Sequence, residues 1–366
     1  MRKMENSLLV KSGQETYEAV FSNSAIEELT RIAQKNRIFV LADSNVTAHH
    51  SKFIENVNKI STVIIPIHPV ENSKQLVEIP NYINLLLDAE IRRGDLLVVI
   101  GGGIIQDITG FIATILFRGL NWIFIPTTLA AQADSCIGSK TSINLGNRKN
   151  TLGTYHHAEK IIISTEFLGT LAEREIRAGL GEMLKVHAIE DKNKFDEIAS
   201  NYSLLLNLKG DLTHFIYQSL EFKRKKIEID EKDQGPRLVM NYGHSFGHAL
   251  EAASDFQIPH GIAVSMGMDI ANFISLEIDF GTKEDFDRMH PILMRNSHEF
   301  WNKEIDKTKF SKALLADKKN TLDSYVFILT DKLGIPSIKK VPMAMNVDKL
   351  VFDYIEEIRS NEVNKK

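Results

Sequence analysis

The segment Arg237-Leu-Val-Met-Asn241-Tyr-Gly-His244-Ser-Phe-Gly-His248-Ala-Leu places four side chains capable of chemistry among apolar ones. On a helix, positions 237, 241, 244 and 248 follow the i, i+4, i+7, i+11 rule and share one stripe, flanked by Leu238, Val239, Phe246 and Leu250. A buried stripe of Arg, Asn and two His is costly unless every member has a partner, so the pattern points to a ligand or a metal. Histidines four apart can chelate one ion, with a third ligand from elsewhere. His260, in Pro259-His260-Gly261, is one source. The alternative is a solvated helix face, and Gly235 and Gly243 weaken the reading of one unbroken helix through Arg237. Glu182 stands three residues before Lys185 among Leu180, Met183 and Leu184, which reads as a surface ion pair or as a buried one.

A second group suits a nucleotide. Ile100 ends a strand-like run and is followed by Gly101-Gly102-Gly103, with Ile104-Ile105-Gln106-Asp107 opening an apolar helix. Glycines at a strand-to-helix turn let the backbone approach a pyrophosphate, whose charge the helix N-terminus favours. The motif is not a strict G-x-G-x-x-G, because Gln106 holds the third glycine's place, and a plain tight turn gives the same pattern. Asp43 ends another strand, where it could accept from a ribose or cap a helix. Pro126-Thr127-Thr128 adds hydroxyls at a further strand end. The cations Arg118, Lys140, Lys149, Lys185, Lys223 and Arg237 lie near glycines, strand ends or the polar stripe, and point to an anionic substrate. The run Lys223 to Lys226 also reads as a solvated face.

The elements that must carry these residues change type along the chain. Arg37–Asp43, Thr62–Ile67, Asp95–Ile100, Trp122–Ile125 and Lys160–Ser164 are β-branched runs, with a helical pattern over Lys74–Arg92 between two of them. Continuous apolar strands separated by helices predict a mainly parallel sheet covered on both faces. From Glu173 onward amphipathic spacing dominates: Glu173–Glu190, Leu212–Ile229, Asn241–Ser254, Ala263–Glu277 and Val347–Arg359, with one strand at Ser324–Leu329. The fold class expected is α/β, a Rossmann-like parallel-sheet domain over residues 1–170 followed by a mostly helical metal- and substrate-binding domain over 171–366. The polar tail from Ser360 is expected to fray. With 366 residues, 43% hydrophobic and 25% charged, the chain can bury a sizeable core, and a net charge of −4 argues against a general nucleic-acid binder. Cys136 is the single cysteine, Leu8-Leu9-Val10 is too short for a signal segment and no run suits a membrane helix, so a cytoplasmic protein is expected.

Taken together the motifs resemble those of the 3-dehydroquinate synthase family, within the sugar-phosphate cyclase superfamily. The likeness runs through Gly101–Asp107, Arg118-Gly119, Pro126–Lys140, Lys149-Asn150, Arg177–Lys185, Asp230-Glu231, Asn241–Ala249 and His260-Gly261, in family order over nearly the whole chain. It implies zinc (or cobalt) held by Glu182, His244 and His260, which leaves His248 to the substrate. It implies NAD contacts from Asp43, Asn45, Val46, Glu71, Lys74, Gly102, Gly103, Ile104, Asp107, Thr127, Thr128, Lys140 and Lys149, and around Phe167, Thr170 and Leu171. The substrate residues it implies are Asp134, Lys140, Asn150, Lys185, Lys223, Arg237, Asn241 and His248, with Lys318 or Lys319. Lys223 and Arg237 would read a carboxylate, and Asn150, His248 and Arg118 a phosphate, with Arg118 reaching into the neighbouring subunit of a homodimer.

The activity so implied converts 3-deoxy-arabino-heptulosonate 7-phosphate to 3-dehydroquinate and phosphate, by transient oxidation with NAD, phosphate elimination, re-reduction and aldol closure. Departures from the family pattern leave room for relatives: Ile262 stands where many synthases have Glu, Gln106 and Ala130 differ from commoner residues, and Thr154-Tyr-His-His157 replaces a stretch that usually contains Pro. A cyclase acting on sedoheptulose 7-phosphate or glucose 6-phosphate, and a metal-dependent alcohol or glycerol dehydrogenase, are the alternatives.

Overall fold

A computed structural model describes residues 7–13, 15–146 and 148–363. The chain divides into two compact units, Met1–Ala172 with Asp211–Lys232, and Glu173–Gly210 with Asp233–Lys366. The first unit holds a seven-stranded sheet in the order β1-β2-β9-β6-β5-β3-β4. Its strands are β1 (Ser7–Ser12), β2 (Glu15–Phe21), β3 (Ile38–Asp43), β4 (Val63–Ile67), β5 (Leu96–Gly101), β6 (Trp122–Pro126) and, beyond a small hairpin β7–β8 (Ile143–Leu145, Arg148–Leu152), β9 (Lys160–Ile163). Every neighbouring pair is parallel except the edge pair β1–β2. Strands β3, β5 and β6 are buried along their whole length, which explains their unbroken apolar sequences. Helices α1 (Ala25–Ala33), α2 (Ser44–His49), α3 (Ser51–Ile60), α4 (Ile79–Asp88) and α5 (Gly103–Ile115) connect them. This is the Rossmann-like α/β arrangement that the strand pattern predicts.

The second unit is built on α6 (Glu173–Glu190) and α7 (Lys192–Leu206). Beyond α8 (Leu212–Ile229) it continues with α9 (His244–Ala253), α10 (His260–Glu277), α11 (Lys283–Ser297), α12 (Lys307–Leu315) and α13 (Val347–Val363). One antiparallel hairpin, β10 (Ser324–Thr330) with β11 (Pro336–Pro342), completes it.

Several expectations change. A single boundary near Thr170 does not describe the chain, because α8 groups with the first unit, where it packs on β1 and on the turn Ala131–Ser135. The helix expected over Lys74–Arg92 starts only at Ile79, with Pro80 in its first turn and short 3-10 turns before it. The stripe helix through Arg237 is broken. Pro236–Asn241 is a 3-10 turn, and Gly243, at φ 76°, resets the backbone so that α9 begins at His244. The tail from Ser360 continues α13 as far as Val363, and residues 364–366 lie outside the described residues.

Small residues set how closely α6, α9 and α10 approach. A Cβ on Gly261 would lie 1.8 Å from the Ala178 carbonyl oxygen, and one on Gly181 would lie 2.0 Å from that of Gly261. On the other side of α10, a Cβ on Gly267 would lie 2.0 Å from the Gly243 carbonyl oxygen. Gly261→Ala is therefore expected to force α6 and α10 apart and to lower the urea unfolding free energy by about 3 kcal/mol or more, since backbone atoms cannot yield as side chains do. Gly94→Ala, with nothing within 4 Å of the new methyl, should unfold at the wild-type midpoint.

Candidate active site

In the second unit, three helices converge on one cluster. Glu182 and Lys185 lie on α6, His244 and His248 one turn apart on α9, and His260 opens α10. The glycines beside Glu182, His244 and His260 are those at which the helices touch, so the close approach also brings these side chains together. Glu182 Oε1 is 3.1 Å from His260 Nε2 and 4.0 Å from His244 Nε2. One ring nitrogen from each of His244, His248 and His260 lies within 4.8 Å of the others. Lys185 Nζ is 2.8 Å from Glu182 Oε2, and both side chains are buried. Of the two readings of Glu182-x-x-Lys185, the buried pair is the one found.

The orientation of the imidazoles is fixed from behind. His244 donates Nδ1–H to the Tyr242 carbonyl at 3.1 Å, and His260 donates Nδ1–H to Glu251 Oε2 at 2.9 Å. Because both acceptors lack a proton, Nδ1 must carry one in each ring. Tyr242 is itself anchored, its hydroxyl donating to Asn272 Oδ1. Burial opposes the charge on Glu182, but Lys185 and then the rings of His260 and His244 hold it well below the usual carboxylate range. Burial, followed by Lys185, keeps His244 well below the ordinary histidine value, and burial then His260 lowers His248. His260 goes the other way: partial desolvation resists its charge, yet Glu251 and Glu182 outweigh it and push the ring up to about 10.

Arg237 is buried in the turn before α9, and Asn241 in the same turn donates Nδ2–H to the Leu238 carbonyl at 3.1 Å. Lys318 and Lys319 separate. Lys319 Nζ is 2.6 Å from Asp317 Oδ2, which also accepts from Ser245 Oγ on α9 at 2.7 Å, whereas Lys318 is exposed beside an open surface depression.

The first unit carries the other residues, several of them at the carboxyl ends of β3, β5 and β6. Gly102 precedes α5, whose N-terminus has no side-chain cap, with Gly103, Ile104 and Asp107 in its opening turns. A Cβ on Gly102 would lie 2.9 Å from the Thr128 methyl, so the turn leaves no room for a side chain. Gln106 fills the third-glycine position by packing inward, exchanging hydrogen bonds with the Ser135 carbonyl and hydroxyl at 2.8 and 2.7 Å. Asp43 ends β3 and accepts from the Asn45 amide at 2.7 Å, which makes it the cap of α2, with Val46 buried behind. Thr127 and Thr128 follow β6; Thr127 is buried, and the Thr128 hydroxyl accepts from the Ala131 amide at 3.2 Å. Phe167 is buried, and Thr170 and Leu171 follow it, with Thr170 Oγ1 2.8 Å from His50 Nε2.

Lys74 Nζ is buried and reaches both Asp107 Oδ2 at 2.7 Å and Asn150 Oδ1 at 2.9 Å. Burial nevertheless pushes Asp107 up to about 6 against the pull of Lys74. Lys149 Nζ pairs with Glu71 Oε1 at 3.2 Å. Asn150 sits at φ 52°, its amide accepting from Ser142 at 2.6 Å. Lys223 is buried and bonds Asp134 through Oδ1 at 2.7 Å and the carbonyl at 2.5 Å. Its neighbours Arg224 and Lys225 form exposed i, i+4 pairs, so only part of the Lys223–Lys226 run is a solvated face. Lys140 is exposed. Arg118 is exposed in a turn where Phe117, Arg118 and Gly119 all have positive φ. Cys136 is buried and its thiol is pushed up to about 12, which makes it inert. Among the described residues, no helix is long and apolar enough to cross a membrane.

Three residues that contact the candidate side chains are not among those the sequence reading singles out: Glu251, Asp317 and Tyr242. Continuing the His244–His248 stripe one more turn reaches Glu251, so that one was within reach. Asp317 and the Tyr242 carbonyl carry no comparable periodic signal.

Models for the N-terminal and C-terminal parts of 3-dehydroquinate synthase match residues 64–178 and 179–320. A 3-dehydroquinate synthase of Helicobacter pylori (strain G27) is 34% identical over 309 residues, covering 84% of this chain and 89% of the relative. The fold is close to that of a 2-deoxy-scyllo-inosose synthase solved with carbaglucose-6-phosphate, NAD+ and Co2+ (TM-score 0.85, 22% identity, 96% of this chain and 99% of that one). It is also close to a 2-epi-5-epi-valiolone synthase of Streptomyces hygroscopicus subsp. jinggangensis 5008 solved with NAD+ and Zn2+ (TM-score 0.81, 21% identity, 95% and 98%). With both halves matched and a third of the residues shared along most of the length, the chain belongs to the 3-dehydroquinate synthase family.

Proposed function

We propose that the protein converts 3-deoxy-arabino-heptulosonate 7-phosphate to 3-dehydroquinate and phosphate, with NAD and a divalent metal, zinc or cobalt. The observation that carries this reading is the convergence of Glu182 Oε1 with the Nε2 atoms of His244 and His260. A carboxylate oxygen and two imidazole nitrogens form a donor set suited to a catalytic zinc site with a position left open, and cobalt shares the preference. His244 and His260 are the better ligands than His248. Their Nδ1–H groups are bound by Tyr242 and Glu251, which turns Nε2 toward Glu182. The uncapped N-terminus of α5 and the crowded Gly102 turn suit a pyrophosphate, and two proteins of like fold were solved with NAD+ and Co2+ or Zn2+.

When bound, NAD would supply hydride transfer and the cation would polarise a substrate oxygen. The chain's own residues then bind and orient. Arg237, buried and planar, suits the substrate carboxylate bidentately. Lys185 steadies Glu182 as an ionised ligand, and Asp134 holds Lys223 in place for an anionic group. His248, lowered from the ordinary histidine value by desolvation and then by His260, can accept or relay a proton or hydrogen-bond a phosphate oxygen. Of the two lysines, Lys319 is the one we assign to the substrate, because Asp317 and Ser245 tie it to α9. Exposed Arg118 suits the homodimer expected of the family, in which it would serve the neighbouring copy.

Three outcomes test this. Supplied with NAD and zinc, the protein should release phosphate from the carboxylated heptulosonate phosphate without net NADH. Release only from sedoheptulose 7-phosphate or glucose 6-phosphate would assign it to a sister cyclase, and accumulating NADH to a dehydrogenase. Arg237→Ala should lower kcat/KM by about 2–5 kcal/mol, the cost of leaving a buried charge pair incomplete, and wild-type efficiency would remove the arginine from the site. In metal analysis, His244→Ala should lose stoichiometric zinc whereas His248→Ala keeps it and loses turnover; the reverse pattern would return the ligand role to His248.

A further inference from the structure

We propose that Glu251 is a positioning residue for His260, accepting its Nδ1–H so that Nε2 is presented toward Glu182 for metal binding. The inference rests on the metal centre proposed above and extends it to a residue outside the ligand set. Glu251 lies in the last turn of α9, three residues beyond His248, and reaches across to the first residue of α10. The geometry gives that contact a purpose. The His260 side chain is 47% exposed, whereas Glu251 is 13% exposed and Glu182 is 4% exposed. An imidazole at a helix start with so much of its surface in solvent has several rotamers open to it, and nothing in its own helix selects one.

The two carboxylates do. Glu251 Oε2 holds Nδ1 at 2.9 Å, and Glu182 Oε1 faces Nε2 at 3.1 Å, so the ring is spanned between α9 and α6. His244 achieves the same orientation with a backbone carbonyl, that of Tyr242, which no substitution can remove. Glu251 is thus the point at which the orientation of a metal-binding ring depends on a side chain. A carboxylate behind a ligating histidine also raises the basicity of the ring and fixes its tautomer, and losing such a partner typically weakens metal binding 10–100-fold.

The test compares full-length wild type, Glu251→Ala and Glu251→Gln, each stripped of metal and titrated with zinc against a chromophoric chelator at one pH, with NAD binding as a check on integrity. Glu251→Ala should bind zinc 10–100-fold more weakly, while Glu251→Gln, which keeps an acceptor oxygen, should recover most of that loss. Loaded with Co2+, the alanine variant should show an altered visible spectrum and the glutamine variant a spectrum close to wild type. Equal zinc affinity in Glu251→Ala and wild type would overturn the positioning role, and so would a loss in Glu251→Gln as large as in Glu251→Ala. A wild type that binds no stoichiometric zinc would instead overturn the metal centre on which the inference rests.

Discussion

Helices α6, α9 and α10 meet at distances that only glycine permits, and the metal site proposed for the second unit depends on that contact. Gly181 precedes Glu182, Gly243 precedes His244 and Gly261 follows His260, so each ligand of the proposed metal site is next to a crossing point. A side chain at any of these positions would meet a backbone oxygen at 1.8–2.6 Å, so the helices must shift apart by roughly 1 Å, a large fraction of a metal–ligand bond of about 2 Å. Packing and site geometry are therefore one constraint. The apolar residues around the crossings, among them Leu180, Met183, Phe246, Leu250 and Val264, are buried and supply the burial that keeps the helices pressed together.

That burial also sets the electrostatics. An ionised Glu182 in an apolar helix cluster would be prohibitively costly alone, and Lys185 at 2.8 Å is the compensating charge. The same low-polarity surroundings disfavour a charge on His244 and His248, leaving ring nitrogens with lone pairs, as a metal or a proton-accepting step requires. His260 differs in that Glu251 and Glu182 outweigh desolvation and raise it, and a bound cation would take the place of the proton between Nε2 and Glu182. In the first unit the pattern differs: Lys74 and Lys223 are buried and held by Asp107, Asn150 and Asp134, so these two cations are fixed, not free to wander.

Much of this was legible in the sequence. The parallel strands were readable because β3, β5 and β6 are buried on both faces and so carry unbroken β-branched runs. Helices α6 and α8 were readable from end to end because their apolar spacing never lapses. Residues that share a face for one turn, as His244 and His248 do, could be paired by spacing; His260 could be offered only as one source of a third ligand, and Glu182 was joined to the set by family likeness, since spacing says nothing about which helices cross. The β1–β2 and β7–β8 hairpins were missed because their strands are short, partly exposed and mixed in polarity. The stripe through Arg237 misled because a helical period fits a 3-10 turn and a glycine break almost as well as one helix. Helix α8 was placed with the later helices because its sequence resembles theirs, and its packing on β1 and on Ala131–Ser135 assigns it elsewhere.

The most direct measurement of the central claim is the position of the ion itself. Crystals of the zinc-loaded protein, measured at the zinc absorption edge, should give one anomalous peak within about 2.0–2.2 Å of a Glu182 carboxylate oxygen and of Nε2 in both His244 and His260. A peak bound through His248 with Glu182 beyond reach, or no peak in this cluster at all, would contradict the account.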